Sequence, residues 1–403
     1  MRGDSVPTDD PVPARDSGER PFEDFLADLR ATAADLATAA ARCAAVFELE
    51  QAVVYLTDIQ QRQLIPLTDD TAPLDIDGSR AGWAYRTLSL RVEESGTGAM
   101  IAWLPLVDGA ERLGVLAVHT AALDAVRLRR GRALAALFAM MITSRRGYLD
   151  TVVQRMRTQP MRLPAEMLRT FLPPRTIGNS HAVSTAVLEP AYELGGDAFD
   201  HSLTDTTLHV SILDAMGHDL GAGLTTAVTL AACRNARRTG ADLPALVDSV
   251  DLALSRWLPD QFCTGVLARL DLASGRLRWC NCGHPPPLLI RHERLVGALV
   301  RPADPPMGMP AQFLGAPRTV HETALEPGDR VLMYTDGVTE SRLRDGTEFG
   351  LERFAESVIR ATAGGEPAAE TLRRLIHSLL DAGGNRLRDD ATILMVEWRP
   401  PEP

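Results

Sequence analysis

Four short segments in the C-terminal half set the tightest limit on how this chain can fold. Each places an aspartate beside glycine or alanine at the edge of an apolar run. They are Glu193-Leu194-Gly195-Gly196-Asp197, within residues 190–200, and Asp214-Ala215-Met216-Gly217-His218, directly after the run 208–213. The third is Tyr334-Thr335-Asp336-Gly337-Val338-Thr339-Glu340, after 331–334, and the fourth is Arg388-Asp389-Asp390-Ala391-Thr392, just before 393–396. A single aspartate of this kind is an ordinary turn former, because its side chain bonds nearby backbone. Four of them, each against a strand-like run, read instead as carboxylates gathered at one end of a sheet. Such groups repel one another unless neutralised, and hard divalent cations are the usual solution. With no His or Cys ligands nearby, Mg²⁺ or Mn²⁺ fits better than zinc.

At 403 residues and 45% hydrophobic content the chain is long enough for two domains, possibly three, each with a real core. All 42 of its basic residues are arginine, which excludes Schiff-base and phosphate-loop lysine chemistry. The longest apolar run, residues 133–142, is too short to span a bilayer, and Asp4, Asp9 and Asp10 do not suit a signal peptide. A cytoplasmic protein is expected. Cys43, Cys233, Cys263, Cys280 and Cys282 form no disulfide-like or zinc-like pattern and read as buried thiols. The net charge of −11 argues against general nucleic-acid binding. That charge is uneven, with −9 over residues 1–100, +5 over 101–160 and −7 over 161–403.

The fold class expected is α/β multidomain. Residues 1–21, rich in Pro, Asp, Gly and Ser, read as a disordered tail. A helical pattern covers 22–47, and strand-like runs follow at 52–56, 62–67, 99–106 and 113–118, with a hairpin turn at Asp108-Gly109. A closing helix begins near Leu128. In this order, and in Val53-Val54-Tyr55-Leu56, Trp103-Leu104-Pro105-Leu106 and Arg112-Leu113-Gly114-Val115-Leu116-Ala117-Val118, residues 22–146 resemble a GAF sensor domain. Nothing in them points to haem, a metal or a bilin.

Residues 127–167 read as one long helical stretch with an apolar stripe through Leu134, Leu137, Met141, Tyr148, Val152 and Met156. The stripe fits either ordinary packing or a dimerising signalling helix, and the second reading, hence a homodimer, is the expectation. Prolines 160, 164, 173 and 174 interrupt the segment, so 147–175 is taken as a helical linker and switch.

At the four aspartate motifs the chain resembles the metal-dependent protein phosphatases related to protein phosphatase 2C, in their bacterial SpoIIE-like branch. Phe262-Cys263-Thr264-Gly265-Val266, Asn281-Cys282-Gly283-His284-Pro285-Pro286-Pro287 and Glu348-Phe349-Gly350 extend the resemblance, in order, across 176–398. It implies a PPM-type α-β-β-α sandwich with two Mn²⁺ or Mg²⁺ ions at one edge. It also implies direct attack of water on phosphorus, with no covalent enzyme intermediate. By the same resemblance Asp214 bridges both ions and the Ala215 carbonyl is a further ligand. Asp336 and Asp389 hold one ion, Asp197 lies near the other, and Asp390 corresponds to a residue that often supports the site without ligating. His218 is a candidate proton donor to the leaving alkoxide, or else packs against its own loop. Asp219 replaces the glycine usual in the family, and His284 reads as structural.

Residues 219–240 read as a helix opening on small residues and closing on Arg234, Arg237 and Arg238, which suits the helix dipole. The segment 164–174 sits where the branch places a movable switch. The expectation is therefore a GAF-like sensor controlling a serine/threonine protein phosphatase. By family analogy its substrate is a phosphorylated anti-sigma-factor antagonist in a partner-switching pathway. The alternatives are a non-catalytic partner-binding module on the same fold and a dinuclear phosphohydrolase of small esters.

Overall fold

A strand with apolar residues on both faces has to be covered on both faces, and several strands of this chain are of that kind. In β17 (Ala391–Trp398) all eight residues are buried. Leu394, Val396 and Trp398 enter one core, while Ala391, Ile393 and Met395 enter another on the opposite side. The period of two thus demands a layer above and a layer below. The computed structural model describes residues 36–399 except 48, 95–97, 194, 218, 310–316, 385–386 and 388. The expected tail 1–21 and residues 22–35 of the expected first helix lie outside the described residues.

In the C-terminal half of the chain, those layers are supplied by a pair of antiparallel sheets. One has five strands in the order β15-β12-β11-β10-β9 and the other six, β14-β13-β16-β17-β8-β7. These strands are β7 (Thr176–Gly178), β8 (Ala182–Glu189), β9 (Asp197–Leu203), β10 (Thr207–Ala215), β11 (Cys263–Asp271), β12 (Arg276–Cys282), β13 (Leu288–Arg291), β14 (Arg294–Ala298), β15 (His321–Ala324) and β16 (Arg330–Tyr334). Leu208, Val210, Ile212, Val266, Ala268 and Trp279 of one sheet meet Val331, Met333, Leu394 and Val396 of the other. Helices α6 (Leu220–Arg238) and α7 (Leu243–Trp257) cover the five-stranded sheet. Helices α9 (Gly350–Thr362) and α10 (Ala368–Ala382) cover the six-stranded one. The result is the α-β-β-α sandwich expected.

The N-terminal region forms a third antiparallel sheet, ordered β3-β2-β1-β6-β5-β4, with β3 (Leu74–Asp75) and β4 (Arg91–Glu94) at its edges. Strands β1 (Gln51–Thr57), β2 (Gln63–Pro66), β5 (Met100–Asp108) and β6 (Glu111–Thr120) lie on the expected runs, and the β5–β6 turn holds Gly109 at a positive φ of 59°. Helices α1 (Leu36–Val46) and α3 (Ala125–Arg145) cover one face, and α2 (Arg80–Thr87) covers the other.

The stretch 127–167 is not one helix. It divides into α3, α4 (Asp150–Met156) and α5 (Leu163–Phe171). Leu134, Met141 and Val152 are buried in the core of the N-terminal sheet, whereas Tyr148 is 67% exposed. The apolar stripe expected as a dimerising face is an internal packing face, because the open side of that sheet needs a cover. Among the described residues no helix is long and apolar enough to cross a membrane. All five cysteines are buried and unpaired, as read from their spacing.

The arginines closing α6 do more than answer its dipole. Arg234 donates to Oδ1 of the buried Asp200 at 2.7 Å, and Arg237 donates to Oδ2 at 2.6 Å. Removing one member of such a buried set leaves uncompensated charge, whereas an exposed pair is nearly free to lose. Asp200→Ala should therefore lower stability by about 3–5 kcal/mol. Arg278→Ala, at the exposed Arg278–Glu322 pair, should cost less than about 1 kcal/mol. Urea unfolding midpoints of the two variants against the parent protein check this.

Candidate metal centre

The carboxylates of interest come from the matching ends of both sheets. Asp197 opens β9 and Asp214 stands one residue before the end of β10, directly across the ladder from it. On the other sheet Tyr334 ends β16 opposite Ile393 of β17. Asp336 opens the single-turn helix α8 (Asp336–Thr339) just beyond β16, and Asp389-Asp390 immediately precede β17. The structure thus brings all four motifs to one edge.

Two threonines tie the sheets together there. Thr335 Oγ1 and Thr392 Oγ1 each donate to Asp197 Oδ2 at 2.7 Å, and Thr335 Oγ1 accepts the Thr392 amide at 2.9 Å. Asp390 turns inward, its Oδ2 taking the amides of Gly195 and Gly196 at 2.8 Å and of Asp197 at 3.2 Å. It braces the turn that carries Asp197. Asp389, by contrast, is exposed, and its Oδ1 accepts the amide of Asp390. Asp219 caps α6 by accepting the amide of Ala222 at 3.0 Å, which gives the departure from glycine a structural use. His218 lies outside the described residues.

Two glycines permit this close approach. A Cβ on Gly196 would lie 2.5 Å from the Ala215 carbonyl oxygen and 2.7 Å from that of Gly217. A Cβ on Gly337 would lie 1.9 Å from the Asp390 carbonyl oxygen. Helix α5 reaches the same place. A Cβ on Gly223 of α6 would meet Met167 of α5 at 2.9 Å and the Gly195 carbonyl at 3.3 Å, and Thr226 of α6 bonds the Gly196 carbonyl.

The electrostatics are those of like charges held together. Burial, then repulsion from Asp336, Asp389 and Asp390, pushes the Asp214 carboxyl up to about 7. Burial, then Asp214 and Asp390, raises Asp197 well above the carboxylate range against the pull of its two threonines. Asp336 is raised by burial and Asp389, and Glu340 chiefly by Asp336. Among the described residues, no arginine figures among the main groups acting on Asp214, Asp197 or Asp336. This anionic, oxygen-only set fits a hard divalent cation. Among the described residues no three such side chains stand as a closed cage, because Asp197 and Asp390 face their threonine and amide partners. Residues able to hold an ion are Asp214, Asp336, Asp389, the Ala215 carbonyl and Asp197.

His284 is buried, bonded to Thr264 at 3.0 Å and lowered to about 4 by burial, while Asn281 clamps its backbone from both sides. It is structural, as expected. The residues that the motifs left unread were Thr335 and Thr392. The signal was there, since each stands one or two places from an aspartate, but threonine in a strand is also an ordinary strand former.

A family profile described as "Stage II sporulation protein E (SpoIIE)" matches residues 204–399, beginning just after the Asp197 motif. The phosphoserine phosphatase RsbP of Bacillus subtilis is 29% identical over 154 residues, 37% of this chain and 37% of that protein. Protein IcfG of Synechocystis sp. is 25% identical over 135 residues, 34% of this chain and 20% of that protein. The chain thus spans well under half the length of these relatives. The SiaA-PP2C domain of Pseudomonas aeruginosa superposes with a TM-score of 0.50 at 21% identity, over 58% of this chain and 94% of that one, so the fold is shared. The C-terminal sandwich thus has the PP2C-like fold, and most of it matches the SpoIIE profile.

The raised carboxyls have a cost without metal. A folded-state pKa above the unfolded value means stability is full below about pH 4 and falls as pH rises toward 7. In chelator, Asp214→Asn should stabilise the protein at pH 7.5 by roughly 1–2 kcal/mol, the pKa shift being discounted for partial exposure. The gain should vanish near pH 4. Thermal melts in chelator across that range measure it.

Proposed function

We propose that this sandwich is a Mg²⁺- or Mn²⁺-dependent serine/threonine protein phosphatase that binds two ions. The observation that carries the reading is the set of carboxylates gathered from both sheets at one edge, where Asp214, Asp197 and Asp336 are each raised by burial and by neighbouring carboxylates. When bound, the ions supply Lewis acidity and an activated water. The chain's own role is to place donors and exclude alternatives. Asp214, Asp336 and Asp389 present carboxylates toward the edge, the Ala215 carbonyl adds a neutral oxygen, and Asp390 fixes the turn that carries Asp197. Neither a nucleophilic cysteine nor a lysine has a role, since the thiols are buried and lysine is absent.

The RsbP likeness supports a phosphoserine protein as substrate, and family analogy supports an anti-sigma-factor antagonist in a partner-switching pathway. The N-terminal sheet with its covering helices is read as a GAF-like sensor that controls the phosphatase, in a cytoplasmic setting. In saturating Mn²⁺, hydrolysis of a phosphoserine protein by Asp214→Asn should fall by at least roughly 100-fold against the parent. Full hydrolysis by that variant, or a strong preference of the parent for small phosphate esters, would sink the proposal.

A further inference from the structure

The loop joining β1 to β2 in the N-terminal sheet reaches into the C-terminal sandwich along two arms. One arm ends on α10. Arg373, 0% exposed, is gripped by Glu370, 1% exposed, through Nε at 2.9 Å and Nη2 at 2.8 Å. From the N-terminal side Arg373 bonds the Gln61 carbonyl at 3.1 Å and the Asp77 carboxylate. Arg112 of β6 bonds Glu370 at 3.0 Å and lies 4.7 Å over the ring of Tyr85, whose hydroxyl donates to Gln61 Oε1 at 3.0 Å. His377 Nε2 donates to the Gln60 carbonyl at 2.7 Å, leaving Nδ1 to accept from Arg373 at 3.3 Å. The charges of Arg112 and Arg373 balance those of Glu370 and Asp77 only while the N-terminal sheet and α10 are docked.

The second arm ends on β8. Gln60 Nε2 donates to Glu189 Oε2 at 3.1 Å, and Glu189 stands across the ladder from Ala391. Arg373 lies on the helix that precedes Asp389 and Asp390, and Glu189 pairs with the residue that follows them, so along the sequence the two arms stand on either side of that pair. Neither arm touches the acidic edge itself. Arg112, Glu370 and Arg373 are buried while Asp77 is 61% exposed, and a buried charge set like the first three is a poor source of net stability but a strict setter of register, because partial satisfaction is costly.

We propose that Gln60 and Arg373 are positioning residues through which the N-terminal sheet holds the Asp389-Asp390 segment, and with it the Gly195–Asp197 turn, in register for the site. The inference rests on reading that segment as belonging to the metal site, but its first readout needs no metal. The amides of Gly195, Gly196 and Asp197 donate to Asp390, so their protection against hydrogen exchange reports how firmly that segment is held. In the 403-residue chain, Gln60→Ala and Asp77→Asn together should speed exchange at these three amides by roughly tenfold. Arg278→Ala should leave it unchanged. Arg373→Met is the more severe variant, and the milder pair keeps the test open if that protein fails to fold. Exchange that quickens only in residues 58–63, with the three amides unmoved, would overturn the proposal. Mn²⁺ affinity, measured on the same proteins by calorimetry, should weaken in the Gln60→Ala/Asp77→Asn variant by roughly fivefold or more. Unchanged affinity in a protein with quickened exchange would count against the metal reading of the segment and not against the coupling.

Discussion

Asp197 is the point at which the two sheets of the C-terminal sandwich are fastened at their acidic end. Its Oδ2 receives the hydroxyls of Thr335 and Thr392, which flank the third and fourth motifs on the opposite sheet. The ladder places the same residue across from Asp214. Three strands and two loops thus take their register from one carboxylate. Asp390 completes the arrangement by accepting the amides on either side of Gly196. The edge is consequently rigid in its backbone while its charges remain in conflict. That combination is what a cation site requires, because preorganised repulsion is relieved on binding.

Much of this was legible from residue pattern alone. The continuous apolar run 393–396 announces a strand buried on both faces, the alternation in 208–213 a strand with at least one buried face, and an aspartate at the edge of each has few other places to go. Asp219 and the arginines of α6 also fell where helix rules put them, yet Arg234 and Arg237 turned out to serve Asp200. Their partner sits on another strand, and pattern along one helix does not reveal it. The stripe from Leu134 to Val152 shows the same limit. An apolar face states that something covers it but not what, and here the N-terminal sheet covers Leu134, Met141 and Val152 while Tyr148 stays exposed.

The least legible feature is the junction. Glu370 and Arg373 sit three apart on a helix and read as an ordinary solvated pair. Docking of the β1–β2 loop takes them out of water and joins them to Arg112 and Asp77. Helix α5 approaches the Gly195–Asp197 turn through the close packing of Met167 against Gly223. The acidic edge is therefore braced by two routes, one through α5 and α6 and one through α10 and β8. The N-terminal sheet is in direct contact with the second of these, through Arg373 and Glu189.

The central claim is that the crowded carboxylates form a divalent-cation site. Calorimetric titration of Mn²⁺ into metal-stripped protein at neutral pH tests it most directly. Saturable uptake of two ions per chain is the predicted result, with that uptake lost in Asp214→Asn while the variant remains folded. Absence of saturable uptake by the parent protein, or equal uptake by the variant, would contradict it.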